Sequence, residues 1–282
     1  MKLLRYGPKG GERPALLDGD GVIRDLSNHI GDVDGPFLSK ASLEKLRALD
    51  PGTLPKVEGT QRVGQCVANP GKVMCIGLNY KDHAAETGSK LPEHPMLFMK
   101  ANSAMTGPDD DVVLPRGSEH TDWEVELAAV IGEPAKYVSV DEALDHVAGY
   151  CVMNDVSERR FQKHMSGQFT KGKSCDTFGP LGPWLVTADE IEDPQNLSLW
   201  CDVNGKRMQD GTTSDMIFSV AEIISHLSQM FTLHPGDIIS TGTPAGVGAG
   251  VKPAPLFLKP DDELELGVEG LGVQHQTIVA DG

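Results

Sequence analysis

The spacing of apolar and polar residues divides the chain into many short strands and a few helices. Alternating or continuous apolar stretches bounded by Gly, Pro or Asp predict strands at 3–6, 15–17, 22–23, 73–76, 125–131, 150–153, 237–240 and 263–266. Helical spacing of apolar residues predicts helices at 43–49, 79–86, 142–147 and 219–230. Ser139 with Glu142 forms a capping-box pattern at the start of the third helix. The pattern favours a mixed, mainly β fold.

The length of the chain bears on its domain organisation. Its 282 residues are enough for one large domain, or for a catalytic domain with a smaller partner. Pro and Gly interrupt residues 51–70, which we interpret as a linker. We therefore predict a small N-terminal α+β domain with its linker at 1–70 and a larger domain at 71–282.

The charge balance excludes several classes of partner. The chain has 25 Lys and Arg against 41 Asp and Glu, a net charge of −16. Such a surface repels nucleic acids and anionic lipids, and no apolar stretch is long enough to span a membrane. The first residues lack a signal-peptide pattern, so a cytoplasmic location is expected. A protein this acidic needs a local positive charge if it binds an acidic small molecule.

Three carboxylates stand where strands are predicted to begin or end. Glu124 and Glu126 alternate with apolar residues, so a strand would place both on the same face. Asn154-Asp155 follows the apolar stretch 150–153. Three converging carboxylates need a cation, and an all-oxygen ligand set suits Mg²⁺ or Mn²⁺. A solvated strand face remains the alternative for the two glutamates.

Two further polar stretches carry possible chemistry. His83 and Glu86 lie three residues apart, which makes them neighbours on a helix and suits the activation of a water molecule. An ordinary surface pair is the alternative. Basic residues at 159–163 and 171–173 could supply the local positive charge, unless they are simply solvated.

A glycine-rich loop follows the predicted strand at 237–240. The stretch 235–248 lacks the Lys-Ser/Thr ending of a P-loop and the glycine spacing of a dinucleotide-binding turn. We reject both of those interpretations. Its backbone N–H groups and Thr243 could still bind a carboxylate.

Together and in this order, these stretches resemble the fumarylacetoacetate hydrolase family over residues 71–282. The motifs that carry the resemblance are Gly77-Leu78-Asn79-Tyr80 with His83 and Glu86, Glu124-x-Glu126, Asn154-Asp155, Lys173-Ser174 with Phe178-Gly179-Pro180, Met216-Ile217-Phe218-Ser219, and Thr241-Gly242-Thr243-Pro244. The resemblance implies a rolled β-sheet catalytic domain of the type found in this family, usually assembled as a homodimer.

The resemblance also implies a role for ten residues of this sequence. The ligands of Mg²⁺ or Mn²⁺ would be Glu124, Glu126 and Asp155. The catalytic residues, which activate water and stabilise developing charge, would be His83, Glu86, Gln162 and Lys173. The substrate-binding residues would be Tyr80, Arg159 and Thr243.

The implied reaction is metal-dependent C–C bond hydrolysis of a 2,4-diketo acid to pyruvate and a second acid. The segments 1–7, 257–262 and 267–272 are similar to those of family members that hydrolyse 2,4-diketo-3-deoxy sugar acids, and acylpyruvates are the related substrate class. The same fold serves other reactions. Oxaloacetate decarboxylation and 2-hydroxyhepta-2,4-diene-1,7-dioate isomerisation with decarboxylation are therefore alternatives. A non-catalytic, metal-dependent ligand-binding homologue is the alternative of another class.

Overall fold

Short β-strands make up most of the regular structure in the computed structural model, which describes residues 1–281. The strands are β1 (Lys2–Tyr6), β2 (Arg13–Leu17), β3 (Ile23–Asp25), β4 (Val73–Gly77), β5 (Met96–Lys100), β6 (Met105–Thr106), β7 (Val112–Leu114), β8 (Thr121–Asp122), β9 (Val125–Ile131), β10 (Val147–Asn154), β11 (Ser157–Glu158), β12 (Gly179–Thr187), β13 (Ser198–Val203), β14 (Lys206–Thr212), β15 (Ile238–Ser240), β16 (Glu263–Val268) and β17 (Gly272–Ala280). The prediction of a mixed, mainly β fold is confirmed.

Helices are short and connect the strands. The α-helices are α1 (Lys40–Arg47), α2 (Lys81–Thr87), α3 (Val140–Ala143), α4 (Arg159–His164), α5 (Phe169–Lys173) and α6 (Val220–Met230). Single 3₁₀ turns are found at Gly35–Phe37, Pro51–Thr53, Asn102–Ala104, Leu144–His146, Ala188–Glu190, Thr213–Asp215 and Gly248–Gly250. Within residues 1–281, none of the helices has the length and apolar character needed to cross a membrane.

The predicted helix at 142–147 is too long. Ser139 and Glu142 do form a capping box, but the α-helix is α3, and a 3₁₀ turn follows it. Val147 already belongs to β10, where it lies opposite Ile131 of β9. The strand that begins here pairs with both β9 and β12. By contrast, helix α6 is found where the periodicity predicts it, with Ser219 as its cap.

Three sheets organise the strands. The largest has ten strands in the order β3-β2-β1-β12-β10-β9-β15-β4-β5, with β6 added beside β12. A second sheet has the order β14-β13-β16-β17-β7, and β8 pairs with β11 in a two-stranded ribbon. Strand β1 pairs with β12 with Lys2 opposite Val186, so the N-terminal strands extend the large sheet. The domain boundary near residue 70 stays a prediction.

Strand β9 is central to the large sheet and is buried on both faces. Val125 and Leu127 pack into one hydrophobic core, and Ala128 and Val130 pack into the other. Side chains alternate along a strand, so Glu126 points towards the same side of the sheet as Ala128 and Val130. An acidic residue in an otherwise apolar strand is costly to bury and therefore marks a site.

The N-terminal segment is also joined to the rest of the chain by an ion-pair cluster. Arg62 donates to both carboxylate oxygens of Asp110 at 2.5 and 2.6 Å, and to Glu12 at 2.8 Å. Burial alone would raise the pKa of Asp110, but hydrogen bonds from Arg62 and Thr106 lower it to about 2. The Arg62–Asp110 ion pair is bidentate, and bidentate pairs are stronger than those with a single hydrogen bond.

We expect Asp110→Asn to destabilise the fold in a pH-dependent way. Because the folded-state pKa lies below the ordinary value of about 3.9, the carboxylate stabilises the fold above about pH 4 and loses this effect as the pH falls through about 2. The loss near neutral pH should be about 1 kcal/mol, since solvent screens part of the interaction at this partly exposed carboxylate, and urea unfolding measures it. The exposed neighbour provides the control: Asp111→Asn should change stability little at any pH. Equal stability of both variants would contradict the assignment.

Candidate active site

A cavity of about 140 Å³ lies where β9 begins and β10 ends. Eight of the ten residues singled out from the sequence line it: His83, Glu124, Glu126, Asp155, Arg159, Gln162, Lys173 and Thr243. They come from α2, the starts of β9 and α4, the end of α5 and the loop after β15. The fold therefore brings together residues that are up to 160 positions apart in sequence.

The three predicted metal ligands converge at this cavity. Each of Glu124, Glu126 and Asp155 places a carboxylate oxygen within 4.8 Å of an oxygen of the other two. Alternation at the start of β9 brings the two glutamates to the same side, and the Asp155 backbone N–H donates to the Glu124 carbonyl at 2.9 Å. All three side chains are buried.

Two of these carboxylates are already paired with buried cations. Lys173 Nζ donates to Asp155 Oδ2 at 2.6 Å and also contacts Glu124. Arg159 donates to Glu124 Oε1 at 2.6 Å, and Lys100 donates to the other oxygen of Asp155. Burial would raise the pKa of Glu124, but Arg159 and Lys173 outweigh burial and lower it. The chain itself thus supplies the counter-charges of Glu124 and Asp155.

Glu126 has no such cation. Its Oε2 accepts hydrogen bonds from Ser240 Oγ at 2.5 Å and from the backbone N–H of Gly242 at 2.9 Å. Burial and the negative charges of Asp155 and Glu124 raise the pKa of Glu126 well above its ordinary value. A buried carboxylate beside two others, held by neutral donors only, fits a site for an additional cation. The all-oxygen donor set suits a hard divalent ion such as Mg²⁺ or Mn²⁺.

His83 and Glu86 form a hydrogen-bonded pair on α2. Nδ1 of His83 lies 3.3 Å from Glu86 Oε2, while Glu86 Oε1 accepts the backbone N–H of Gly246 at 3.0 Å. Gly246 has φ +102°, and a Cβ there would lie 1.9 Å from the Met208 carbonyl, so glycine is required. Asp82 accepts the N–H of Ala245 at 3.2 Å. Asp82 and Glu86 thereby connect helix α2 to the loop after β15, beside the cavity.

Arg159 and Gln162 lie on successive turns of α4. Arg159 donates to Asp122 at 2.7 and 2.8 Å, to Glu124, and to Gln162 Oε1 at 3.2 Å. Its guanidinium is therefore occupied by protein groups, and its predicted role in binding the substrate's acid group stays a prediction. The contact with Arg159 orients Gln162 through its amide oxygen, which leaves the amide N–H₂ as the donor end.

Tyr80 and Thr243 occupy different environments. Tyr80 is fully buried, and its hydroxyl has no hydrogen-bond partner among the described residues. Tyr80 is not among the residues that line the cavity. Thr243 lines the cavity, but its hydroxyl already donates to the Val125 carbonyl at 2.8 Å and accepts from Gln209 at 2.7 Å. Both substrate-binding roles stay predictions.

Two important residues were not found from the sequence. Asp122, fully buried, binds Arg159 and accepts the backbone N–H groups of Gly248 and Ala249 at 2.6 and 3.0 Å. Asp122 lies two residues before Glu124, so the same strand alternation could have identified it. Lys100 ends β5, a strand the apolar pattern did not reveal, and its charge alone was not distinctive.

Comparison with known proteins shows the family to which this chain is similar. The C-terminal domain family described as fumarylacetoacetate (FAA) hydrolase matches residues 72–279. A Burkholderia multivorans protein with a provisional hydrolase name is 58% identical over 276 residues, 98% of each chain. A solved 2-hydroxyhepta-2,4-diene-1,7-dioate isomerase from Mycobacterium marinum is 34% identical, with a TM-score of 0.76 over 100% of this chain and 99% of that one.

A further solved structure bears on the metal. Maleylpyruvate hydrolase from Sphingobium sp. SYK-6, solved with a manganese(II) ion and pyruvate, is 29% identical to this chain. The match has a TM-score of 0.82 and covers 100% of both chains. In that protein the fold therefore accommodates a divalent cation together with a 2-oxo acid.

Proposed function

Because this chain belongs to the fumarylacetoacetate hydrolase family, we propose that it is a divalent-cation-dependent hydrolase that cleaves a C–C bond in a 2,4-diketo acid. The products would be pyruvate and a second carboxylic acid, and an acylpyruvate or a 2,4-diketo-3-deoxy sugar acid would be the substrate. The family contains hydrolases, isomerases and decarboxylases, so the reaction has to be argued from the site.

One observation carries the proposal: the carboxylate triad and His83 line the same small cavity, and Glu86 lies 3.3 Å from His83 behind it. A cation held by Glu124, Glu126 and Asp155 would supply Lewis acidity to the 2-oxo acid end of the substrate. Loss of CO₂ from a similar acid needs no activated water. A histidine oriented by a carboxylate beside the triad therefore favours hydrolysis.

Different side chains would act in different steps of the reaction. Glu86 holds His83 through Nδ1, so Nε2 is the atom that takes a proton from water. The hydroxide adds to C4 of the substrate, and the amide N–H₂ of Gln162 is placed to stabilise the resulting oxyanion. Lys173 keeps two carboxylates ordered and adds positive charge where negative charge develops.

Cleavage of the C3–C4 bond and protonation of C3 complete the reaction. The C4 oxyanion collapses to a carboxylic acid, and the C3–C4 bond breaks with its electron pair moving into the enolate of pyruvate. The proton held by His83 returns to C3, which gives pyruvate. One water is consumed, one C–C bond is broken, and no oxidant or reductant is required.

Isomerisation, with or without decarboxylation, is the second candidate, and the name of the Mycobacterium marinum structure favours it. Such a reaction would use the same triad, while His83 would move a proton between substrate carbons instead of activating water. Product analysis separates the two. Hydrolysis incorporates one oxygen of ¹⁸O-labelled water into the released acid, and isomerisation incorporates none by this route.

We expect turnover to require a divalent cation. Purified protein is incubated with acetylpyruvate, a 2,4-diketo sugar acid and oxaloacetate, and products are identified by mass spectrometry. Prolonged treatment with EDTA should remove at least about 99% of the activity, because a Lewis acid contributes several kcal/mol to such a reaction. Addition of Mg²⁺ or Mn²⁺ should restore it. Full activity in the metal-free protein would contradict the proposal, and turnover of oxaloacetate alone would favour a decarboxylase.

A further inference from the structure

A second cavity of about 380 Å³ adjoins the catalytic one. Arg159, Lys163 and Ala249 belong to the walls of both. The residues that line the second cavity are His120, Arg159, Arg160, Lys163, His164, Ala249, Pro255 and Phe257. Five of these eight side chains are basic, and no Asp or Glu of the described chain is among them. We call this cavity the basic vestibule.

Its positive charges are largely uncompensated. Arg159 is neutralised by Asp122 and Glu124, but Arg160, Lys163 and His164 have no carboxylate within 4.0 Å among the described residues. The net charge of the chain is −16, and its carboxylates outnumber its lysines and arginines by 41 to 25. Two cations, Arg160 and Lys163, without a carboxylate partner among the described residues at one cavity are therefore unusual for this protein and attract an anion.

A second polar group in the basic vestibule also lacks a partner. Nδ1 of His120 is buried without a hydrogen-bond partner, and the His120 ring lies 4.9 Å from the ring of Phe257. Buried polar atoms are nearly always satisfied by protein, water or ligand. Phe257 and Pro255 add apolar surface beside the basic groups. The lining thus suits a carbon chain that ends in an acidic group.

We propose that the basic vestibule binds a second acidic group at the far end of the substrate, so that the preferred substrate is a dianion. The inference rests on the proposed function, because the carboxylate triad would hold the 2-oxo acid end and the second acidic group would reach past Lys163. Binding energy from this remote group would be used to position the reacting carbonyl. Arg160, Lys163 and His164 would then determine specificity.

Two diketo acids of equal length test the proposal. 2,4-Dioxoheptanedioate carries a carboxylate at its far end and yields pyruvate and succinate. 2,4-Dioxoheptanoate carries a methyl group there and yields pyruvate and butyrate. We expect kcat/KM for the dianion to exceed that for the monoanion by at least about tenfold, because hydrogen bonds between charged groups are strong.

Substitution of the basic residues shows whether they cause the preference for the dianion. Arg160→Met/Lys163→Met should lower the ratio of kcat/KM for the dianion to kcat/KM for the monoanion at least about tenfold. Lys45→Met/Lys206→Met removes two exposed positive charges elsewhere and should leave both values unchanged. If wild-type protein cleaves both acids equally well and the first double variant behaves like the control, the vestibule assignment is wrong while the proposed function stands.

If neither acid is cleaved, a binding experiment tests the basic vestibule independently of the proposed function. Calorimetry in Mg²⁺ then compares 2-oxoadipate with 2-oxohexanoate, which again differ only in the charge at the far end. Tighter binding of 2-oxoadipate, lost in Arg160→Met/Lys163→Met but not in the control, supports the basic vestibule. Equal or undetectable binding of both overturns it.

Discussion

Glu126→Gln should abolish tight Mg²⁺ binding and leave a protein that is more thermostable than the wild type when both are metal-free. The affinity should fall at least about 100-fold, because one of three carboxylate ligands becomes neutral. Metal-free stability should rise by about 2 kcal/mol, because a buried carboxylate without a cation is removed from beside two others. Calorimetric titration and thermal unfolding with and without Mg²⁺ measure the two effects.

The opposite directions of the two effects make this test specific. A substitution that merely damages the fold lowers both metal affinity and stability. Gln keeps the hydrogen bonds from Ser240 and Gly242, because its amide oxygen accepts as the carboxylate did. Glu44→Gln, on the exposed side of α1, provides the matched control and should change neither quantity. Retained Mg²⁺ affinity in Glu126→Gln would rule out the triad as the cation site.

His83→Ala should lower kcat for hydrolysis by about 10²- to 10⁴-fold, the range associated with a general base. The affinity for Mg²⁺ should stay within about twofold, since His83 belongs to α2 and is not part of the carboxylate triad. Steady-state kinetics on the cleaved diketo acid and calorimetric titration with Mg²⁺ give the two values. Glu86→Gln should have a smaller effect, about tenfold, because it only orients the imidazole.

Chemical rescue separates a base from a structural residue. Removal of the imidazole enlarges the cavity next to the proposed water site, so added imidazole should restore part of the activity of His83→Ala. The same addition should not help Glu126→Gln, which keeps its histidine. Unchanged hydrolysis in His83→Ala would show that the pair on α2 does not activate water.

Local patterns predicted the mainly β fold, and they also predicted the strand face that Glu124 and Glu126 share. Alternation around Glu124 and Glu126 depends only on the geometry of a strand. It therefore indicates which side chains share a face without knowledge of the strand's neighbours. The convergence of Asp155 could not be read from spacing, because it depends on the pairing of β10 with β9. Resemblance to a family supplied that step, and the three carboxylates do lie close together in the folded chain.

Long-range pairing accounts for the elements that were missed. Strand β12 begins Gly179-Pro180-Leu181-Gly182-Pro183, a composition typical of loops, yet it pairs with β1, β6 and β10. Its backbone is extended because three neighbours supply hydrogen bonds, a cause that no local sequence pattern contains. Lys100 was missed for the same reason, since β5 is recognised through its pairing with β4.

The pairing of Lys173, Arg159 and Lys100 with the carboxylates has a consequence for how the protein matures. A zinc finger cannot fold until its metal arrives, because nothing else compensates its ligands. In this chain, Lys173, Arg159 and Lys100 supply counter-charges to Glu124 and Asp155. If the proposed function holds, the fold would form before a cation binds, and the activity would follow the free concentration of that cation without a change in the amount of folded protein.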